Sequence, residues 1–380
     1  MPAPRLIVIA DPKGRRWQQL QQDATEAESP LELSVVSWAD ILHREGRLDG
    51  LPDFDGRALV RVDSTGESFD LTRQLIAIGA RHNGEAASTA QDWAALEYRK
   101  GWLAHPRLAW LGWQRVLMNL EQSFDARPHL QPLARPSHIA TMFDKVATSA
   151  RLLNAGLPCP DEVDATSCSS GSGVLAAIDS AGIDTAFAKL RTGSSATGII
   201  AINSKDQPNS GLTSMIEIEG DIFNTLRLQT VESDTLERLL NFLLNEGLCV
   251  QRGISKARID GQSFDLRVIV IDGEPEFTIF RLSNAPMTNL HFGGRRGDFE
   301  QCRRRIPTRV WLDAMDSCVE AAAQFDSHMV GVDLVFERGY FAHYILEVNA
   351  FGDFFPGWRD PQGRTIYQAE LESLQRKYDS

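Results

Sequence analysis

Residues 329–350 read MVGVDLVFERGYFAHYILEVNA. Two apolar runs rich in β-branched and aromatic residues, MVGVDLVFE and FAHYILEVN, flank a turn signal at Arg338-Gly339, so the stretch reads as an antiparallel hairpin. Asp333 and Glu347 lie fourteen positions apart, which suits the two strands of that hairpin. Glu347 and Asn349 are two apart, so in a strand their side chains share a face. Acidic residues inside apolar strands are uncommon without a partner. Two carboxylates and an amide oxygen form a hard-oxygen set of the kind that suits Mg²⁺, which keeps few protein ligands and fills its octahedron with water and phosphate oxygens. The plainer alternative is that the two acids only begin and end ordinary strands.

Outward from this hairpin the chain divides into three zones. The third, 249–380, carries the strands CVQRGI, FDLRVIVID, EFTIFRL and the hairpin itself, and ends in a short helix from about Ile366. It reads as an antiparallel, strand-dense region. The second, 136–248, opens on one amphipathic helix, IATMFDKVATSARLLNAG, with Gly156 as its C-cap and Pro158 and Pro160 beyond. Strands TAFAKL at 185–190 and GIIAI at 198–202 follow. The first, 1–135, alternates apolar runs at 5–10, 33–36 and 58–62 with helix-like stretches at 14–27 and 38–47, the pattern of a parallel α/β sheet. Residues 69–120 look mostly helical and carry Trp93, Trp102, Trp110 and Trp113, a stripe that reads as packing rather than ligand stacking. Three prolines between Arg127 and Pro136 suggest a linker.

Lys189 ends the strand AFAK before the turn LRTGSSATGI, where Gly193 and Gly198 would let backbone N–H groups approach an anion beside a lysine point charge. An ordinary hairpin turn is the alternative. No GK[ST] follows, so this is not a Walker A loop. Lys145 lies on the polar side of its helix, where a solvated residue is the default. Gly171 to Ala176 fits the dinucleotide pattern GxGxxA, but the segment before it is polar and strand-poor, so it reads as a Ser/Gly loop capping a helix. Asp265 and Arg267 alternate along FDLRVIVID and face one side of a strand, Arg281 ends EFTIFR, and Asn289, Gly293 and Gly294 follow in TNLHFGG. An arginine beside a metal–phosphate site can stabilise a migrating phosphoryl group. Arg295, Arg296, Arg303, Arg304 and Arg305 then form a positive island, either a solvated loop or an attractor for an acidic or phosphorylated substrate.

The whole chain narrows the classes further. Its 380 residues are 43% hydrophobic and 24% charged, ordinary globular values, and the net charge of −12 argues against a nucleic-acid backbone binder. No apolar run is long enough for a membrane span, and the first one, RLIVIA, stops at Asp11 and suits a β-strand better than a secretory signal. Five scattered cysteines with no CxxC pair fit a reduced, cytoplasmic compartment, and neither they nor the eight histidines suggest a transition-metal site.

Taken in order, these pieces resemble the ATP-grasp superfamily, most closely its carboxylate–amine ligase branch, which includes RimK-type glutamate ligases and glutathione synthetases. The resemblance covers roughly 139–357. It rests on a lysine entering the central domain, a second lysine with a Gly-rich loop, a Gln-led hinge, DxR, RxxxxxxxNxxxGG and D…ExN. It implies an α/β protein, α+β in its catalytic part. The expected domains are an N-terminal Rossmann-like domain with its Trp-rich extension (1–135), a lid (136–248) and a catalytic subdomain (249–380).

By position, the resemblance implies that Lys145 and Lys189 contact ATP from the lid. The loop Thr192, Gly193, Ser194, Ser195 to Gly198 would close over the β- and γ-phosphates. Gln251, with the backbone of Arg252, Gly253 and Ile254, would run along the adenine, and Asp265 is counted with the nucleotide-binding residues. Arg267, Arg281 and Asn289 would be catalytic. Asp333, Glu347 and Asn349 would hold Mg²⁺, or Mn²⁺ in its place. The implied chemistry joins a carboxylate to an amine through an acyl-phosphate, with an amino acid, peptide or protein as substrate. A nucleotide-binding module without chemistry and a phosphotransferase are the rival readings.

For the substrate, Arg61 at the end of strand ALVRV is the candidate carboxylate anchor, with Asp63 and Ser64 after it, because ligands of open α/β sheets bind beyond the carboxyl ends of strands. Pairing of Arg61 with Asp63 or Glu67 is the alternative. Gly293, Gly294 and Arg295 are expected to shape the acceptor side. Homo-oligomerisation stays open.

Overall fold

The computed structural model describes residues 4–66, 68–84, 92–93, 95–193, 197–204, 210–288, 290, 293–352 and 355–379. The first zone comprises β1 (Arg5–Ala10), α1 (Arg15–Glu26), β2 (Glu32–Ser37), α2 (Trp38–His43), β3 (Ala58–Val62), α3 (Phe69–His82), α4 (Pro106–Asp125) and β4 (Leu130–Pro132). Its sheet has the order β2-β1-β3-β4, with every pairing parallel. Ile7, Val8 and Ile9 of β1 are all fully buried, as expected of a parallel strand covered on both faces. The proline-rich segment expected to be a linker contains β4, whose Leu130 pairs with Ala58, so it is an edge strand of this sheet. Pro132 is tolerated there because an edge strand can spare an N–H.

The second zone does not open on one helix. It holds α5 (Pro136–Phe143) and α6 (Lys145–Asn154), broken at Asp144. Asp144 takes extended backbone angles and its carboxylate accepts from Ala147 N at 3.1 Å, an N-cap that starts a second helix inside one apolar pattern. There follow α7 (Gly171–Ser180), β5 (Thr185–Leu190), β6 (Ile199–Asn203), β7 (Ser210–Ile218), β8 (Asp221–Glu232), α8 (Ser233–Glu246) and β9 (Leu248–Arg252). Ser170 caps α7 through Gly173 N, and no strand precedes it, as expected for the GxGxxA segment. The sheet order is β8-β7-β6-β5-β9, all antiparallel. β9, assigned from sequence to the third zone, thus belongs to the second sheet, and the change of sheet falls after Arg252. Leu236, Leu239, Leu240 and Leu243 of α8 bury one face of this sheet against its own core.

The third zone comprises β10 (Arg258–Ile259), β11 (Gln262–Ile271), β12 (Glu274–Ser283), β13 (Arg295–Arg296), α9 (Phe299–Arg303), α10 (Thr308–Ala323), β14 (Met329–Phe336), β15 (His343–Asn349) and α11 (Ile366–Asp379). Its antiparallel sheet runs β13-β12-β11-β14-β15, with β10 on β11. The β14–β15 hairpin is the one read from sequence, and Asp333 is the register partner of Glu347. α10 packs Ala314, Cys318 and Ala321 into the core continuous with the first domain; on the opposite face α11 covers Ile269 and Ile271, and the part around Asp265, Arg267 and Asp333 forms a cleft floor.

Candidate active site

On that floor, alternate residues of β11 and β14 point into the cleft because a strand repeats every two residues. Arg267 grips Asp333 through two nitrogens, with Nη2 at 3.0 Å from Oδ2, and also donates to the Gly352 carbonyl at 3.3 Å. Arg281, from β12, forks onto Asp265 at 2.7 and 3.0 Å and lies 3.1 Å from Asp333 Oδ2. Both bidentate pairs have the planar geometry that matches guanidinium to carboxylate. Burial would raise the Asp333 carboxyl, but the Arg267 and Arg281 guanidiniums outweigh it and hold it below the usual range. Glu347 is less enclosed, and Lys145 Nζ stands 3.5 Å from its Oε1. Asn349 uses its Nδ2 on the Gly331 carbonyl at 3.2 Å, which leaves its amide oxygen as the acceptor on the shared face.

The opposite wall comes from the second sheet. Lys189 Nζ donates to Gln251 Oε1 at 2.7 Å, across the β5–β9 pairing that sets Lys189 against Cys249. Burial pushes the Lys189 ammonium below its ordinary value. Gln251 is itself fixed by Ser149 Oγ at 3.1 Å. Lys145 is the first residue of α6, donates to the Gly193 carbonyl and is 9% exposed along its side chain, so it is not the solvated residue its helix face suggested. Floor and wall enclose one cleft of about 870 Å³, within the range of small-molecule sites.

Solved structures share this fold from end to end. The chain is similar to the ATP-grasp ligase PsnB complexed with minimal precursor, at 16% identity and a TM-score of 0.52 over 98% of this chain and 99% of that one. D-cycloserine synthetase DcsG matches at 11% identity and a TM-score of 0.54, over 98% and 99% of the two chains. D-alanine–D-alanine ligase from Bacillus anthracis, complexed with ATP, matches at 12% identity and a TM-score of 0.51 over 100% of both. The chain has the ATP-grasp fold. The sequence matches no protein-family model and no curated protein. The structural likeness also takes in the first 135 residues, which the sequence resemblance reached only as general architecture.

The ATP-grasp cleft gathers most of the expected residues. Lys189, Thr192, Gly193, Gln251, Arg252 and Ile254 line it from the side of the second sheet, and Asp265, Arg267, Arg281, Asp333, Glu347 and Asn349 from the floor, with Ser64 at the first domain's edge. Gly198 and Gly253 instead serve the backbone. Gly198, at φ +66, accepts from Leu190 N to close the β5–β6 turn, and Gly253 N donates to Thr185 O at 2.7 Å. Arg252 turns its side chain to Asp161, 2.9 Å away. Ser194, Ser195 and Asn289 lie outside the described residues.

The expected substrate side needs correction. Arg61 does not line the cleft: it is buried against Glu370 of α11, with Asp63 3.7 Å away. A partner more than three hundred residues distant could not be read from the local sequence. Asp63 is taken up by Arg16 at 2.8 Å and Ser64 N at 2.8 Å. Gly293, Gly294 and Arg295 are not among the lining residues, and Arg295 donates to Gln262 at 2.9 Å. The arginine island is mostly paired locally, Arg305 with Asp260 and Arg303 over the Trp311 ring; only Arg296 lines the cleft.

Sequence reasoning missed Arg15, Arg16, Lys256 and Thr288 on the cleft wall, and Trp110 and Trp113, read as packing, line it as well. Lys256 Nζ donates to Thr288 Oγ1 at 2.9 Å, Thr288 donates on to Asp265, and burial lowers the lysine's affinity for its proton. A single lysine in the polar run ISKARID gave no periodic signal.

The donor chemistry fits a magnesium ion. Asp333 and Glu347 face each other by register and Asn349 shares their face, an oxygen-only set. Among the described residues no group of three or more His, Cys, Asp or Glu side chains converges, at this site or any other, so the set rests on two carboxylates and one amide. No helix among them is long and apolar enough to cross a membrane.

Proposed function

We propose that the protein is an ATP- and Mg²⁺-dependent carboxylate–amine ligase working through an acyl-phosphate, with an amino acid, peptide or protein as the acid substrate. The observation that carries this reading is the facing of two groups across one cleft. Lys189 stands on the lid side, Lys145 reaches from the Gly193 carbonyl to Glu347, and the Asp333–Glu347 pair stands on a floor braced by Arg267 and Arg281. PsnB, which shares the fold, is a ligase complexed with precursor, Mg and ADP, and DcsG is a synthetase of a small molecule.

Asp333, Glu347 and Asn349 would hold Mg²⁺, which supplies charge neutralisation on phosphate oxygens. Lys145 and Lys189 orient and neutralise the phosphates, so that a substrate carboxylate can approach the γ-phosphorus. Its oxygen forms the new P–O bond while the bond to the ADP oxygen breaks. Arg267 and Arg281, held in place by their carboxylates, stabilise negative charge without reorganising. The amine nitrogen then bonds to the acyl carbon, phosphate leaves and the amine gives up a proton. Enclosure of the cleft keeps water from the acyl-phosphate.

The test is incubation of the protein with ATP, Mg²⁺ and single amino acids or peptides, with identification of nucleotide and product mass. ADP, phosphate and an amide product are expected. AMP formation would overturn the acyl-phosphate route, and a stable phosphorylated product would favour a phosphotransferase. E347Q removes a metal ligand at a partly open position and should lower kcat at least about a hundredfold. Unchanged turnover would remove the metal assignment.

A further inference from the structure

The cleft floor has a second positive end. Its sheet runs β13-β12-β11-β14-β15, so β13 and β15 are opposite edges, about 19 Å apart at the usual strand spacing. Lys145 meets Glu347 at the β15 edge. At the other edge, Arg296 of β13 is the register partner of Arg281, and Arg281 is the register partner of Asp265. Directly opposed residues of an antiparallel pair share a face. Arg281 turns into the cleft, so Arg296 does as well, and both line it.

Arg296 differs from the cations beside it. Arg281 is engaged by Asp265 and Asp333, Arg267 by Asp333 and the Gly352 carbonyl, and Arg252 by Asp161. Among the described residues the Arg296 side chain makes no hydrogen bond and no ion pair. Its one contact is the Phe355 ring, whose centroid lies 4.9 Å from the guanidinium carbon. Phe355 also lines the cleft and packs against the apolar layer of Ile269 and Phe277. Stacking on an anchored ring orients the guanidinium plane and leaves its N–H fork unspent. Like charges directly opposite on one sheet face repel, and Arg281 and Arg296 are such a pair. Lys256 adds a third cation, donating to Thr288. Among the described residues three carboxylates line the cleft; Asp333 and Glu347 are on β14 and β15, and only Asp265 stands near these cations. In a chain of net charge −12 that local excess calls for an anion.

We propose that Arg296 anchors a substrate carboxylate that stays intact through the reaction. The inference rests on the ligase reading for the chemistry at the β15 edge, but not for the binding itself. A guanidinium fork matches a carboxylate with two parallel hydrogen bonds. Met287, Leu290 and Pro356, which also line the cleft, give the carbon skeleton an apolar bed. Lys145 commits its charge at the β15 edge, where that reading places the nucleotide phosphates, so the anion at β13 is a different group. The substrate class is therefore an amino acid or peptide with a free carboxylate besides the group that reacts. Either the acid or the amine substrate can bear it.

The experiment is calorimetric titration of the full chain, with Mg²⁺ and ADP present so that nothing turns over, in wild type, R296M and R296K. The probes are the twenty L-amino acids and the Ala-Xaa dipeptides, each beside its C-terminal amide, with Asn and Gln as the side-chain amides of Asp and Glu. At least one acid should bind with one-to-one stoichiometry, and its amide at least tenfold more weakly. R296M should weaken the acid at least tenfold and bind acid and amide alike, R296K should recover part of the loss, and ADP affinity should stay within twofold. Turnover of that ligand then shows whether its carboxyl carbon or its nitrogen enters the new amide, which assigns the anchored carboxylate to the acid or the amine substrate. The proposal is overturned if no probe binds, if the amide binds as well as the acid, if R296M binds the acid like wild type, or if R296M weakens ADP equally. Binding through Arg296 without any product would sink the ligase reading and leave the anchor. Product formation with KM unchanged in R296M would sink the anchor and leave the ligase reading.

Discussion

Asp333 is a carboxylate surrounded with positive charge, and His328 is an imidazole kept neutral; the two show opposite outcomes of burial. Arg267 and Arg281 more than offset the desolvation of Asp333. His328 faces Asp272 on one side and Lys377, Arg61 and Arg376 on the others, and burial dominates, pushing its pKa down to about 4. The consequence for stability has a definite sign. The unfolded chain takes up the proton near 6.5 and the folded chain only near 4, so acid favours unfolding across that window. Relative to neutral pH, this one residue should subtract about 2 kcal/mol at pH 5. The urea midpoint of wild type should therefore fall relative to that of H328F as pH falls from 7 to 5, and a constant difference would remove His328 from the acid response. At this scale the sequence was partly legible. Asp333 and Glu347 stood out because acids rarely sit in apolar strands. Lys256 did not, and Arg61 was placed at a substrate site, because what defines them is burial and a distant partner, and neither leaves a trace in neighbouring residues.

Strands were more legible than the breaks between helices. The hairpin of β14 and β15 followed from two apolar runs and a turn, and the register pairing of Asp333 with Glu347 confirms it. Asp144 was missed because an N-cap in the middle of an apolar pattern leaves the 3.6-residue period undisturbed. The crossing of α3 and α4 was equally hidden, since glycine within a helix usually signals only lowered propensity. Here it sets a distance. A Cβ at Gly79 would lie 2.0 Å from the Leu108 carbonyl oxygen, and one at Gly112 would lie 1.9 Å from that of Leu75. The two backbones meet where no side chain fits, and α4 carries Trp110 and Trp113 to the cleft from that contact. G79A or G112A must push the helices apart, at a cost of about 1–3 kcal/mol or more. Each should lower the urea midpoint and raise the KM for ATP together, because the tryptophans move with the helix. A variant as stable as wild type would mean that the crossing relaxes freely.

The whole molecule is built on unequal cores. The second sheet has its own, centred on α8, whereas the first sheet and the third share one continuous apolar cluster. The last helix reinforces that union. Tyr367, Leu371 and Leu374 of α11 pack with Leu6, Val8, Trp17 and Leu20 from the start of the chain, and Glu370 pairs with Arg61 within the same layer. Burial raises the Glu370 carboxyl, and Arg61 opposes this. Such a pair is weak evidence of net stabilisation, but loss of one member strands the other charge. E370A should therefore lower stability by about 3–5 kcal/mol, whereas R61M/E370L, which replaces both charges with apolar volume, should recover most of that loss. A double-mutant cycle on urea unfolding measures the difference. Equal losses in E370A and R61M/E370L would mean that the ion pair itself fastens α11 and that apolar volume cannot replace it. Recovery in R61M/E370L would mean that the cost in E370A comes from the stranded guanidinium, and that an arginine placed by sequence at a substrate site is instead a fastening between the two ends of the chain.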